Sequence, residues 1–168
     1  MNVLYEGCAF VISGVKNWKR VILFGALTLA ILSFIFGNSG LPREESAAVS
    51  SRLVQWLKPI FDPHDRIAED VFHHYVRKLA HFTEFGALGF CLMGLSEQFM
   101  WCKKTWCIAA PTLLSGIAAA TDETIQFFSP ERGPGIKDVL LDCFGALCGI
   151  ACMLFFLHIL KKQKKKDR

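Results

Sequence analysis

The sequence predicts an all-α membrane protein, a four-helix transmembrane bundle with a short interfacial helix in the first outer loop. Three observations carry this. Of the 168 residues 52% are apolar, 15 are phenylalanine and only 20% are charged, a balance too apolar for an ordinary soluble domain. Four windows are long enough to cross a bilayer. The basic residues in the short flanks fall on alternate sides of those windows, as the positive-inside rule requires.

Residues 1–18 read as a cytoplasmic segment of mixed composition, in which Cys8 has no apolar run ahead of it that would make it a lipidation site. The first helix is expected at about 20–37. Val21 to Gly37 is uncharged over 17 residues, a length of about 25 Å at 1.5 Å per residue, which just crosses a hydrocarbon core about 30 Å thick. Its run exceeds a signal-peptide core, and Phe36-Gly-Asn-Ser-Gly40 offers no Ala-x-Ala-like cleavage site, so an uncleaved anchor is expected.

Ser39-Gly-Leu-Pro42 then reads as a turn. From Ser50 to Phe61 the apolar residues Leu53, Val54, Trp56, Leu57, Ile60 and Phe61 cluster on one helical face, with Ser50 or Ser51 as N-cap. That pattern predicts an interfacial helix with its tryptophan at headgroup depth. A lid over a site between the helices would have the same sequence. Asp62-Pro-His-Asp65 turns the chain towards the second helix, expected at about 79–101. The third follows at about 105–128 and the fourth at about 136–160, before a basic tail at 161–168.

Lys16, Lys19 and Arg20, then Lys103 and Lys104, then the six basic residues from Lys161 on flank the same side, which is therefore cytoplasmic with both termini. Asn38 to Lys78 holds six basic and six acidic residues, and that loop is assigned outside. The net charge of +4 lies mainly in the tail. It points to anionic lipid headgroups and not to nucleic acid. Seven cysteines, most inside predicted helices and none in Cys-x-x-Cys spacing, read as small buried hydrophobes without a structural disulfide.

The chemistry is concentrated between Thr121 and Asp142, where five carboxylates, an amide, an arginine and lysine sit between two apolar runs. Ionisable groups at membrane depth mark function by default, because each costs about 2.5–3.5 kcal/mol by insertion scales. Helical spacing puts Arg77, His81 and Glu84 in one row of the second helix and Lys78 and His81 in the next, Asp122 with Gln126 on the third, and Asp138 with Asp142 on the fourth. The predicted topology brings all of them to one outer level. Asp122 and Glu123 lie near a helix C-terminus, which the dipole disfavours, so cationic partners are expected among Arg77, Lys78 and Arg132.

Two readings of this cluster stay open. One is structural, with polar contacts and small-residue rows at Gly116 with Ala120 and Gly145 with Gly149 holding the helices together. The other is a site. His81, Asp122, Glu123 and Asp138 are the candidate acids, bases or cation ligands, and Lys78, His81, Glu84, Gln126, Arg132 and Asp142 the candidate ligand-binding residues. His73 and His74 read as solvated, and Ser129 before Pro130 as a turn residue. No nucleotide motif, haem motif or Ser-His nucleophile pattern appears, and the cofactor is not specified by the sequence.

At these residues the chain resembles the VanZ-like family of small bacterial membrane proteins, named for an accessory protein of glycopeptide (teicoplanin) resistance. Two blocks carry the resemblance. The first is Lys78-x-x-His81-Phe82-x-Glu84-Phe85-x-x-Leu88-Gly89. The second is Asp122-Glu123-x-x-Gln126-x-Phe128-x-Pro130-x-Arg132, continuing through Asp138 to Gly145 and Gly149. Asn38-Ser39-Gly40 with Ser46 and Ser50 is similar to the serine-bearing stretch after the family's first helix, and 19–160 is the family-like transmembrane domain. Where the family usually has asparagine this chain has Asp142, so a second carboxylate beside Asp138 calls for a proton or a nearby cation.

The resemblance implies a protein of the bacterial cytoplasmic membrane whose presence lowers teicoplanin susceptibility, without implying a reaction. Two function classes follow. A non-enzymatic component would bind a lipid-linked cell-wall intermediate or a lipoglycopeptide, with Lys78, His81 and Arg132 meeting its anionic groups. An enzyme, hydrolase or transferase, would act on an envelope lipid or glycan, with Asp122, Glu123 or Asp138 as acid, base or metal ligand and Arg132 stabilising charge. Transport is a weaker third class, because four helices make a small pathway and no inverted repeat is evident.

Overall fold

The computed structural model describes residues 14–41, 43–99, 104–128 and 135–166, of which 43–50 and 104 are described by backbone only. These residues form five helices and one isolated antiparallel bridge, between Val15 and Phe99. They are α1 (Trp18–Ser39), α2 (Arg43–Phe61), α3 (Glu69–Ser96), α4 (Lys104–Phe128) and α5 (Ile136–Lys166). Three of them, α1, α3 and α5, are long and apolar enough to cross a membrane.

Helix α4 is not among those three, and its composition explains why. Pro111, Thr112, Ser115 and Asp122 interrupt its apolar run. Pro111 has no N–H to give the Cys107 carbonyl four residues back. That carbonyl instead accepts the Ser96 hydroxyl of α3 at 3.0 Å, so the helix continues and is tied to its neighbour.

Helix α3 begins ten residues before the expected start at Leu79. Glu69 and Asp70 fill its first turn, where the dipole favours carboxylates. Helix α5 runs on into the tail as far as Lys166, with lysines in its last turn, the complementary arrangement at a C-terminus. Apolar periodicity locates the spanning part of a helix, and these polar extensions lie outside it.

Facing residues fix the directions. Gly145 lies against Phe82, Gly149 against Gly86, and Met153 against Gly94, so α3 and α5 run parallel. Ser96 meets Cys107 and His81 meets Asp122, which makes α4 antiparallel to α3. Phe24 packs on Gly94, whereas Ser39 reaches Gln126 at the opposite end, so α1 runs with α4. Glycine permits the closest of these approaches. A Cβ on Gly149 would come within 2.7 Å of the Gly86 carbonyl carbon and 2.9 Å of the Phe90 amide nitrogen, which only glycine avoids. The expected row at Gly116 and Ala120 is not a contact, because Gly116 faces open space and Ala120 is exposed. The adjoining face of α4, with Ser115, Ala118 and Ala119, is the buried one.

The core joins Ile35 of α1, Phe85, Leu88 and Leu92 of α3, Ala118 and Ala119 of α4, and Ala146 of α5. A second cluster, Met93, Ile150 and Met153, lies nearer the end that carries the basic flanks. At that end Glu97 accepts from Lys16 at 3.2 Å and from Lys161 at 3.1 Å, and Lys16 also donates to the Glu97 carbonyl at 2.8 Å. Burial works to raise the Glu97 carboxyl, but the hydrogen bonds from Lys161 and Lys16 and their charges outweigh it and hold the group below its ordinary range.

Helix α2 sits at the other end. Val54 is buried on Phe72 and Val76 of α3, with Leu57 alongside, while Leu53, Trp56, Ile60 and Phe61 are exposed. The single apolar face expected from the sequence is thus divided between protein and surroundings. The link into α3 is held by Asp62, whose carboxylate accepts from the Ile67 and Arg66 amides at 2.8 and 2.9 Å. Those two hydrogen bonds lower its pKa. Lys58 pairs with Asp65, a bond that raises the lysine's pKa, and Asp65 takes a left-handed φ of 49° that aspartate tolerates in a turn. Cys91, Cys107, Cys143, Cys148 and Cys152 are free thiols. Cys8, Cys102 and Ser129, read as a turn residue, lie outside the described residues.

Candidate functional site

The end of the bundle opposite the basic flanks holds a buried polar cluster built from four helices. Helix α3 supplies Arg77, Lys78 and His81, α4 supplies Asp122, Glu123 and Gln126, α5 supplies Asp138 and Asp142, and α1 ends there at Ser39. The parallel course of α3 and α5 sets this level. Once Gly145 is seated on Phe82, His81 lies beside that contact and Lys78 one turn back along α3, while Asp142 lies about one turn and Asp138 two turns back along α5.

Asp122 is fully buried and accepts from Gln126 Nε2 at 2.7 Å, four residues on along α4. The same amide nitrogen lies 3.5 Å from the buried Ser39 hydroxyl. His81 Nδ1 stands 3.9 Å from Asp122 Oδ2. Lys78 and Asp138 form a direct ion pair, both half-buried. Arg77, Lys78, His81, Gln126, Asp138, Leu141 and Asp142 line a crevice of about 10 Å³, the size of one water-sized particle.

Asp142 is 2% exposed, and its Oδ1 has no hydrogen-bond partner. Donor atoms of His81, Asp122 and Asp142 all lie within 4.8 Å of one another. An imidazole and two carboxylates converging in this way have the chemistry to hold a divalent cation or to exchange a proton.

Of the cations expected beside Asp122 and Glu123, Lys78 pairs with another carboxylate, Asp138. Asp122 is met by Gln126 and His81. Glu123 is buried and accepts the Gly135 amide at the start of α5, where unpaired N–H groups and the positive dipole end do the work of a cation. Glu84 is half-buried one turn deeper than His81 and is not in the crevice lining. Arg132 lies outside the described residues. Ser39 and the Gly135 amide were missed as members of the cluster. For Ser39 the signal was available, a polar Asn38-Ser39 pair at the end of an apolar run.

The profile of the VanZ/LLP1 family matches residues 22–157, which takes in α1 through most of α5. The chain belongs to that family. The VanZ/LLP1 match spans every residue of the polar cluster, so the two blocks that carried the resemblance lie within the family's own domain. No curated protein and no solved structure matches the chain.

Proposed function

We propose that this VanZ/LLP1 member crosses the bacterial cytoplasmic membrane four times with both termini cytoplasmic, and lowers susceptibility to teicoplanin-type glycopeptides through its outer-face polar cluster. Supporting the fourth crossing, α4 runs antiparallel to α3 and exposes Trp106, Leu113, Leu114 and Ile117, a belt that lipid would cover. Supporting the orientation, Lys16 and Lys161 gather at one end on Glu97, which the positive-inside rule assigns to the cytoplasm. Helix α2 then lies at the outer interface beside the crevice.

The observation that carries the reading is the convergence of Lys78, His81, Asp122, Gln126, Asp138 and Asp142 from three helices. Lys78, Arg77 and His81, which line the crevice, suit the anionic group of a lipid-linked cell-wall intermediate or of a lipoglycopeptide, and Arg132 is proposed to join them. The second reading is an enzyme acting on an envelope lipid or glycan. It is favoured by the close approach of the donor atoms of His81, Asp122 and Asp142, where a histidine beside a carboxylate can move a proton.

The test is teicoplanin susceptibility of a Gram-positive host expressing wild type or Asp138→Asn at matched membrane abundance. The proposal expects protection from wild type and its loss in the variant. Equal protection by both would remove the cluster from the function, and no protection by wild type would remove teicoplanin from it.

A further inference from the structure

The geometry points to a site for one zinc ion, held by His81, Asp122 and Asp142. This deepens the reading of the polar cluster as the working end of the protein and rests on it. Three arguments support the assignment.

Asp142 is the decisive residue. It is 2% exposed, on a helix packed face to face with α3, and its Oδ1 is buried without a hydrogen-bond partner. A buried carboxylate oxygen in that condition is costly unless paired. Lys78, the nearest ammonium in the crevice, is engaged with Asp138. A cation between Asp142, His81 and Asp122 would satisfy that oxygen and offset the charge of both carboxylates together.

The spacing fits. Ligand atoms around a tetrahedral zinc with bonds of about 2.0–2.1 Å stand about 3.4 Å apart. The three donor atoms lie within 4.8 Å of one another, so side-chain torsions alone need close the difference. The ligand set also argues against the hard alkaline-earth cations. An imidazole nitrogen with two carboxylates suits zinc, whereas calcium and magnesium favour six or more oxygens.

Space completes the case. The crevice of about 10 Å³ beside Asp142 admits one water-sized particle. Three protein ligands with a fourth, solvent-facing position form the arrangement that leaves a metal able to polarise a bound oxygen.

The experiment uses the full chain, purified in detergent, stripped with chelator and titrated with Zn²⁺ against a competing fluorescent chelator. Wild type is expected to bind one equivalent. Asp142→Asn is expected to bind more than about 100-fold more weakly, beyond the loss typical of changes outside the first ring of ligands. Glu97→Gln, at the other end of the bundle, is expected to bind as wild type does. Equal binding by wild type and Asp142→Asn, or no binding by wild type, overturns the site. Should Asp142→Asn fail to fold, zinc-edge X-ray absorption on wild type decides. One imidazole among oxygen ligands supports the assignment, and two or more overturn it. None of these readouts depends on teicoplanin, so the metal site and the resistance reading can fail separately.

Discussion

The seam between α3 and α5 yields the sharpest prediction. Adding one methyl at Gly149 places a Cβ 2.7 Å from the Gly86 carbonyl carbon and 2.9 Å from the Phe90 nitrogen, and into the Gly86 carbonyl oxygen as well. All three are backbone atoms, so no side chain can swing aside. Restoring ordinary contact at the carbon alone requires the helices to part by about 0.7 Å, and overpacking of that kind costs about 1–3 kcal/mol. Gly116 supplies the internal contrast. A Cβ there meets nothing within 4 Å, so Gly116→Ala gains about 0.5–1 kcal/mol from helix propensity alone. Unfolding in mixed micelles of rising SDS content, followed by tryptophan fluorescence, reads both variants. Gly149→Ala is expected to unfold earlier than wild type and Gly116→Ala no earlier. If Gly149→Ala is as stable as wild type, the seam is not the close contact described and the reasoning fails.

Two further predictions follow. The folded pKa of Glu97 is depressed, so its clasp contributes stability that is full above the ordinary carboxylate value of 4.5 and is lost as pH falls through the lower folded value. Glu97→Gln is expected to flatten that acid limb in SDS titrations repeated across pH, and an unchanged limb would refute the assignment. Trp56 is 78% exposed on α2, and its fluorescence, taken as wild type minus Trp56→Phe, is expected to be quenched most by lipids brominated near the headgroup. Quenching by aqueous acrylamide alone would take α2 off the interface.

Much of this architecture was legible in the sequence because a hydrocarbon solvent leaves few options. Val21 to Gly37 reads as a span, and the i,i+4 spacing already put Asp122 and Gln126 on one helical face, where they are found hydrogen-bonded. The pairing of charges was not legible. Opposite charge suggested a cation for Glu123, and among the described residues its carboxylate accepts the amide of Gly135, a group that every residue but proline carries and that no sequence pattern marks. The close-packed face of α4 was misplaced for a similar reason. Small residues occur at Gly116 and Ala120 as well as at Ser115, Ala118 and Ala119, and only the neighbouring helices decide which set is covered.

The parallel seam has a consequence for the order of assembly. Helices α3 and α5 are separated in the chain by the whole of α4, so their contact cannot form until α5 has been synthesised and inserted. On the proposed four-crossing topology, α3 and α4 would wait in lipid as a hairpin that already contains Asp122 and Glu123, without the Gly135 amide that later donates to Glu123. On that topology these two carboxylates would be exposed at the stage when they have the fewest neighbours. Arrival of the last helix both closes the glycine seam and shields the carboxylates, so a nascent chain that stalls before α5 is the form a membrane quality-control protease would meet.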